Sequence, residues 1–240
     1  MCRRELRRFV AAARRARGSI ELFQGLAGRL AGAAIVMRAV PDPDVRALGD
    51  ELAARVVGAL EAGAVRLGPR GLAHGRSGVV LAALAWQAVS PSLPEAALRR
   101  AVIAEHPYDV SALDAERATD WAHGHAGMAM LFARAYALLG DRRFLAWARA
   151  AGERACAGPN RSISLPDGAP GVAYAMLAVA AIDPGGPWRD RAWAAAGSAL
   201  ARVEVPARYP YGVWGGLGGL CCLALDLLHE TAAGLPGIEA

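Results

Sequence analysis

The sequence predicts an all-α protein, an α/α toroid of about five helix-hairpin repeats forming a single domain over residues 1–240. Three observations predict it: a Gly-x-x-Gly box that recurs five times, an alanine- and leucine-rich run after each box, and an amphipathic arginine-studded segment between one run and the next box. The boxes are Gly25-Leu26-Ala27-Gly28, Gly75-Arg76-Ser77-Gly78, Gly124-His125-Ala126-Gly127, Gly168-Ala169-Pro170-Gly171 and Gly216-Leu217-Gly218-Gly219. Their first glycines are 50, 49, 44 and 48 residues apart. One such box would mean little in a chain with 28 glycines. Five at near-constant spacing, each opening a similar segment, define a repeat.

The elements follow in order. Arg3 to Arg17 predicts a helix with Leu6, Phe9 and Val10 on one face. Arg3, Arg4, Arg7, Arg8, Arg14, Arg15 and Arg17 oppose Glu5 alone, so the other face is either simply solvated or a docking surface for an acidic peptide or partner protein. The apolar runs are Leu30–Val40, Val79–Val89, Met128–Leu139, Val172–Ile182 and Leu220–Leu228. Their length suits a buried helix or strand, but their alanine, leucine and methionine favour helix. No stretch alternates with period two for long enough to build a sheet. The intervening helices are Asp44–Leu60 after Pro43, Glu95–Ala104 after Pro94, Arg142–Ala155 after Gly140-Asp141, and Arg189–Val203 after Pro187. Alternating outer and inner helices close into a ring with the boxes at the inner-helix N-termini, gathered on one rim.

Composition bounds the function. With 240 residues, 55% hydrophobic and 20% charged, the chain can bury a sizeable core and is not disordered. No apolar run reaches the ~20 residues of a membrane helix, and Phe9 to Ala13 is too short for a secretory segment, so a cytoplasmic protein is expected. The four cysteines form no C-x-x-C pair, which argues against a disulfide framework or zinc knuckle; Cys221 and Cys222 read as small core residues. All 27 cations are arginine, yet the net charge is only +5 and aromatic content 6%, a poor nucleic-acid binder.

The residues beside the box glycines carry the chemistry. They read Leu22-Phe23-Gln24, Leu72-Ala73-His74, Asp120-Trp121-Ala122-His123, Leu165-Pro166-Asp167 and Val213-Trp214-Gly215. Three of the five histidines, His74, His123 and His125, fall in two neighbouring boxes, with Asp167 at the equivalent place in a third. A rim that collects these with Asp120 has the makings of an acid–base site.

Gly71-Leu72-Ala73-His74-Gly75 followed by Val79-Val80-Leu81, Trp121-Ala122-His123-Gly124, Gly168-Ala169-Pro170-Gly171 and Val213-Trp214-Gly215-Gly216-Leu217-Gly218-Gly219 resemble the lanthionine synthetase C-like family over roughly residues 20 to 230. The resemblance implies an α/α toroid and a cyclase of lanthipeptide biosynthesis. Such enzymes add a cysteine thiol to a dehydroalanine or dehydrobutyrine in the same precursor peptide. Family members hold zinc through a Trp-Cys-(His/Tyr)-Gly box and a later Cys-His-Gly box, and an Ala-His-Gly histidine assists proton transfer. His74 matches that histidine. Trp121 and His123 match the flanks of the first zinc cysteine, where this chain has Ala122. Pro166 and Asp167 stand for the later Cys-His. In an alternative register Pro166 replaces the first cysteine and Val213-Trp214 the Cys-His pair; the ligands are missing either way. The chain is also short for the family.

The expectation is therefore a zinc-independent cyclase with no cofactor. His74 or His123 takes the thiol proton, Asp120 or Asp167 orients an imidazole, and Arg76, Trp121, His125 and Trp214 line the substrate. His123, His125 and Asp167 are the alternative metal set. The partners implied are the precursor peptide, with its leader and dehydrated core, and other lanthipeptide synthetase subunits; nucleic acid and membrane are not expected. Two other readings remain: a non-catalytic pseudo-cyclase that binds the precursor or a biosynthetic partner, and a glycoside-processing toroid using Asp120 and Asp167.

Overall fold

The computed structural model describes residues 3–15, 18–65, 71–108, 110, 111, 113, 115–159, 162–203, 211–229 and 234–238. Among these are ten helices and no strand: α1 (Arg3–Arg15), α2 (Leu26–Ala39), α3 (Pro43–Glu61), α4 (Arg76–Gln87), α5 (Glu95–Ile103), α6 (His125–Leu139), α7 (Arg142–Cys156), α8 (Ala169–Ile182), α9 (Trp188–Leu200) and α10 (Leu217–Leu228). The fold is the α/α toroid that the repeats predict. Arg17, the expected end of the first helix, lies outside the described residues.

Inner helices α2, α4, α6, α8 and α10 pack side by side in that order, while α3, α5, α7 and α9 back them. Burial matches the patterning. On α4 everything from Ser77 to Trp86 is buried, as is α8 from Ala169 to Val179. On the outer helices burial is a stripe, such as Val45, Leu48, Leu52, Val56 and Leu60 of α3. Local signals set the ends. Asp42 caps α3 by accepting from the backbone N–H of Asp44 and Val45, with Pro43 at the first helical position. Gly140 ends α6 in the left-handed conformation (φ 68°).

The inner helices start three or four residues earlier than the apolar runs suggest, inside the boxes. The first glycine of each box is the N-cap of its inner helix. Its backbone is extended in all five, so the reason for glycine is crowding. A Cβ on Gly124 would collide with the carbonyls of Arg117 and Ala118, and one on Gly168 with those of Ser162 and Ser164. The second glycine is pinned by the same means. A Cβ on Gly28, Gly78, Gly127, Gly171 or Gly219 would strike the carbonyl oxygen of Leu22, Leu72, Trp121, Leu165 or Val213, the residue three before the box.

Each tight turn is thus folded onto the helix it precedes, and successive turns are tied together. Phe23 N–H donates to Ala73 O (3.2 Å), Ala73 N–H to Ala122 O (3.0 Å) and Ala122 N–H to Pro166 O (2.9 Å). Pro166 has no N–H, so Leu165 donates to Trp214 O instead (2.9 Å). Across the remaining seam, Phe23 and Trp214 meet edge to face with ring centroids 5.3 Å apart.

One burial expectation is corrected. Cys221 is exposed and Cys222 half-buried rather than core. They share the outward side of α10 with exposed Leu225 and Leu228.

Candidate functional site

Because every turn has the same backbone course, the residue just before each box glycine occupies the same place on the rim. Four of these are polar: Gln24, His74, His123 and Asp167. The structure brings the middle pair together, with ring centroids of His74 and His123 6.4 Å apart.

Each imidazole has its own carboxylate. Asp120 is buried. Its Oδ1 accepts from the backbone N–H of His123 (2.6 Å) and Gly124 (3.2 Å), closing the turn, and its Oδ2 meets His123 Nδ1 (3.2 Å). That hydrogen bond raises the His123 pKa above its ordinary 6.5, against the opposing effect of burial. Asp167 lies close by. Partial burial and then the charge of Asp120 raise its own pKa, while His123 lowers it.

His74 is held by a residue that sequence reasoning missed. Its Nδ1 hydrogen-bonds Oε2 of Glu21, a buried carboxylate of the first repeat. Glu21 Oε1 also accepts from Gln24 N–H (2.6 Å), the role that Asp120 plays in the third repeat. The signal was available: Glu21 and Asp120 both stand four residues before a box glycine. In the second repeat that position is Gly71 (φ 134°), where a Cβ would collide with Ala122 O and the His123 backbone. No side chain of repeat two can therefore cap its own turn, and the partner for His74 comes from repeat one.

Rings surround the pair. Phe23 is edge-on to His74 (5.4 Å) and stacked with Trp121 (6.0 Å), and Trp121 lies 6.0 Å from Trp214. Of the four residues expected to touch substrate, Trp214 is half-buried beside this group. The other three are engaged with partners of their own. Trp121 is fully buried and donates its indole N–H to Met130 Sδ (3.2 Å), so it supports the wall from behind. Arg76 is paired with the nearly buried Glu105, which Ser77 also bonds (2.6 Å). His125 opens α6 with Nδ1 against the Tyr108 hydroxyl (2.9 Å). There burial and Arg154 push its pKa down, and burial pushes the Tyr108 hydroxyl up to about 12.

The group best able to hold a cation is Asp120, His123 and Asp167, one ligand atom from each lying within 4.8 Å of the others. His125 is not part of it. Zinc held through thiolates does not fit: Ala122 and Pro166 offer no ligand atom. Asp120 also has both oxygens committed to the turn and to His123 Nδ1, so a cation there would compete with the bond that orients the imidazole.

Comparison with known proteins bears on the family and the fold. A family model described as lanthionine synthetase C-like protein matches residues 69–239. Among solved structures, nisin cyclase is similar with a TM-score of 0.66 and 13% identity, covering 96% of this chain and 70% of that one. At that identity the likeness shows the fold. No curated protein matches the chain by sequence.

Proposed function

The chain belongs to the lanthionine synthetase C-like family, and from that premise we propose that it forms thioether rings by adding a cysteine thiol across the double bond of a dehydroalanine or dehydrobutyrine in a dehydrated precursor peptide. The observation that carries this reading is the pair of carboxylate-held imidazoles, Glu21–His74 and Asp120–His123, facing one another on the rim.

Two histidines suit an addition that consumes one proton and returns one. A free thiol has a pKa near ~8.5 and is mostly protonated at neutral pH. His74, the more exposed of the two, takes the S–H proton, with Glu21 stabilising the imidazolium that results. The sulfur electron pair forms the C–S bond at the β-carbon, and the π pair moves onto the α-carbon and carbonyl as an enolate. His123, kept protonated by Asp120, delivers a proton to the α-carbon. The proton held by His74 then replaces it, directly or through water, so S–H has added across C=C with nothing left over. Acid–base help of this kind contributes roughly 10²–10⁴-fold.

No step is routed through zinc, and we assign the chain a zinc-independent chemistry in a cytoplasm that keeps thiols reduced. The test is incubation of a dehydrated precursor with the purified protein, with and without chelator, scored by loss of peptide thiol and by mass spectrometry of alkylated product. Ring formation that survives chelation and falls in His74→Ala and His123→Ala supports the reading. Ring formation abolished by chelator and restored by zinc overturns the metal-free version, and unchanged rates in both variants overturn the acid–base assignment.

One observation favours a second reading. With Ala122 and Pro166 in place of thiolates, the protein could bind the precursor, or another subunit of the synthetase, without catalysis. Precursor binding with no ring formation in any metal condition would select it.

A further inference from the structure

We propose that the cleft at the seam between the first and last repeats is a specificity pocket, taking an apolar side chain of the peptide next to the residue that reacts at His74 and His123; this rests on the peptide-substrate reading above. The cleft encloses about 690 Å³, within the range of ligand-binding cavities. Its walls are Phe9 of α1, Phe23 and Trp214 of the two seam turns, and Ile238 of the C-terminal segment, with Gln24 and Arg29 at the polar margin.

Three features separate it from an accidental hollow. First, part of its lining is bare of side chains for a reason that lies elsewhere. Gly25 and Gly28 line it, and neither tolerates a Cβ, because backbone carbonyls of the same turn stand in the way. The other residues of α2 that line it are Arg29 at the margin and the small Ala31. Second, the seam is where the turn-to-turn hydrogen bonds give way to the contact of Phe23 with Trp214. Third, the cleft is continuous with the reaction centre. Phe23 is at once its wall and the edge-on neighbour of His74, 5.4 Å away. A peptide residue at His74 would have its neighbour's side chain against Phe23, and an apolar one gains by leaving water there. A cationic one would be stripped of solvent among rings, with no acidic partner among the lining residues.

The experiment uses two dehydrated peptides, identical in cysteine and dehydroalanine but flanked by Phe or by Gly, and unreactive analogues with Ala for dehydroalanine. Calorimetry on the analogues reads binding apart from chemistry. The Phe-flanked analogue should bind roughly tenfold to hundredfold more tightly. Phe9→Ala, which removes one wall of the cleft, should erase most of that preference. Replacing the flanking Phe with a benzoylphenylalanine photoprobe gives a readout independent of any variant, with crosslinks expected at Phe9, Gln24, Trp214 or Ile238. Equal binding of the two analogues, or crosslinks mapping elsewhere, would overturn the pocket even if both peptides are cyclised. A clear preference with no cyclisation would sustain the pocket and count against the cyclase reading instead.

Discussion

At the residue scale the two imidazoles share a design but differ in exposure: the His74 side chain is 45% exposed and that of His123 18%. In the proposed chemistry that difference gives the proton-accepting role to the accessible ring and the proton-donating role to the sheltered one. It also fixes a pH dependence. His123 must start protonated, and its raised pKa means the competent form is present at low pH and is lost as pH rises through that value. Asp120→Asn keeps an oxygen to cap the turn but removes the charge. The basic limb of the kcat/KM profile should move to lower pH in that variant, and an unmoved limb would show that His123 is not the donor. Stability follows the same sign. The Asp120–His123 pair stabilises the folded state fully below the unfolded histidine pKa, and this contribution fades above the folded one. Glu21→Gln should slow ring formation less than His74→Ala does, because the ring survives while its imidazolium loses a counter-charge. Thiol assays need one control. Cys221 and Cys156 are both exposed residues, but Cys221 should react with alkylating reagent faster, because the Cys156 thiol contacts Met176 Sδ (3.4 Å) and is pushed up in pKa by its partly buried setting, as peptide mapping of partly alkylated protein would show.

At the scale of the element, the glycines divide by what surrounds them. Gly127→Ala drives a Cβ into Trp121 O and the Leu72 side chain beneath the site, whereas Gly197 in the middle of α9 has open space around it. The first substitution should destabilise by well over the ~1 kcal/mol of an ordinary mutation. The second should stabilise by about 0.5–1 kcal/mol through helix propensity alone. In a chain of this size each kcal/mol moves Tm by about 2–4 °C, so thermal melts would separate the two cases. The box spacing and the alanine-rich runs made the helices and their order readable from sequence, since both reflect steric demands that recur in every repeat. The exact helix starts were not readable, because a glycine N-cap looks the same as a loop glycine until the crossing carbonyl is seen. Site residues divided in the same way. His74, His123, Asp120 and Asp167 could be found because they flank glycines. Glu21 escaped because its histidine lies a full repeat away. The different neighbourhood of His125 depends on the helix phase that turns position one of α6 toward Tyr108.

Over the whole molecule, the toroid serves to bring turns distant in sequence to one rim, and its weakest link is where the first and last of them meet. Trp214→Ala should raise amide hydrogen exchange around Phe23 and in the first turn of α10 while leaving α4 and α6 protected; uniform loosening would mean that the ring opens as a unit. No helix among the described residues is long and apolar enough to cross a membrane. The amide-to-carbonyl bonds that pass from Phe23 to Ala73, Ala122 and Pro166 have a consequence for engineering. From the first unit to the fourth, each joint uses the same donor and the same acceptor position, so this stretch behaves like coupled wagons whose hitches are interchangeable. An extra hairpin spliced between the second and third units should find both hitches waiting, and would widen the bore without redrawing any single turn.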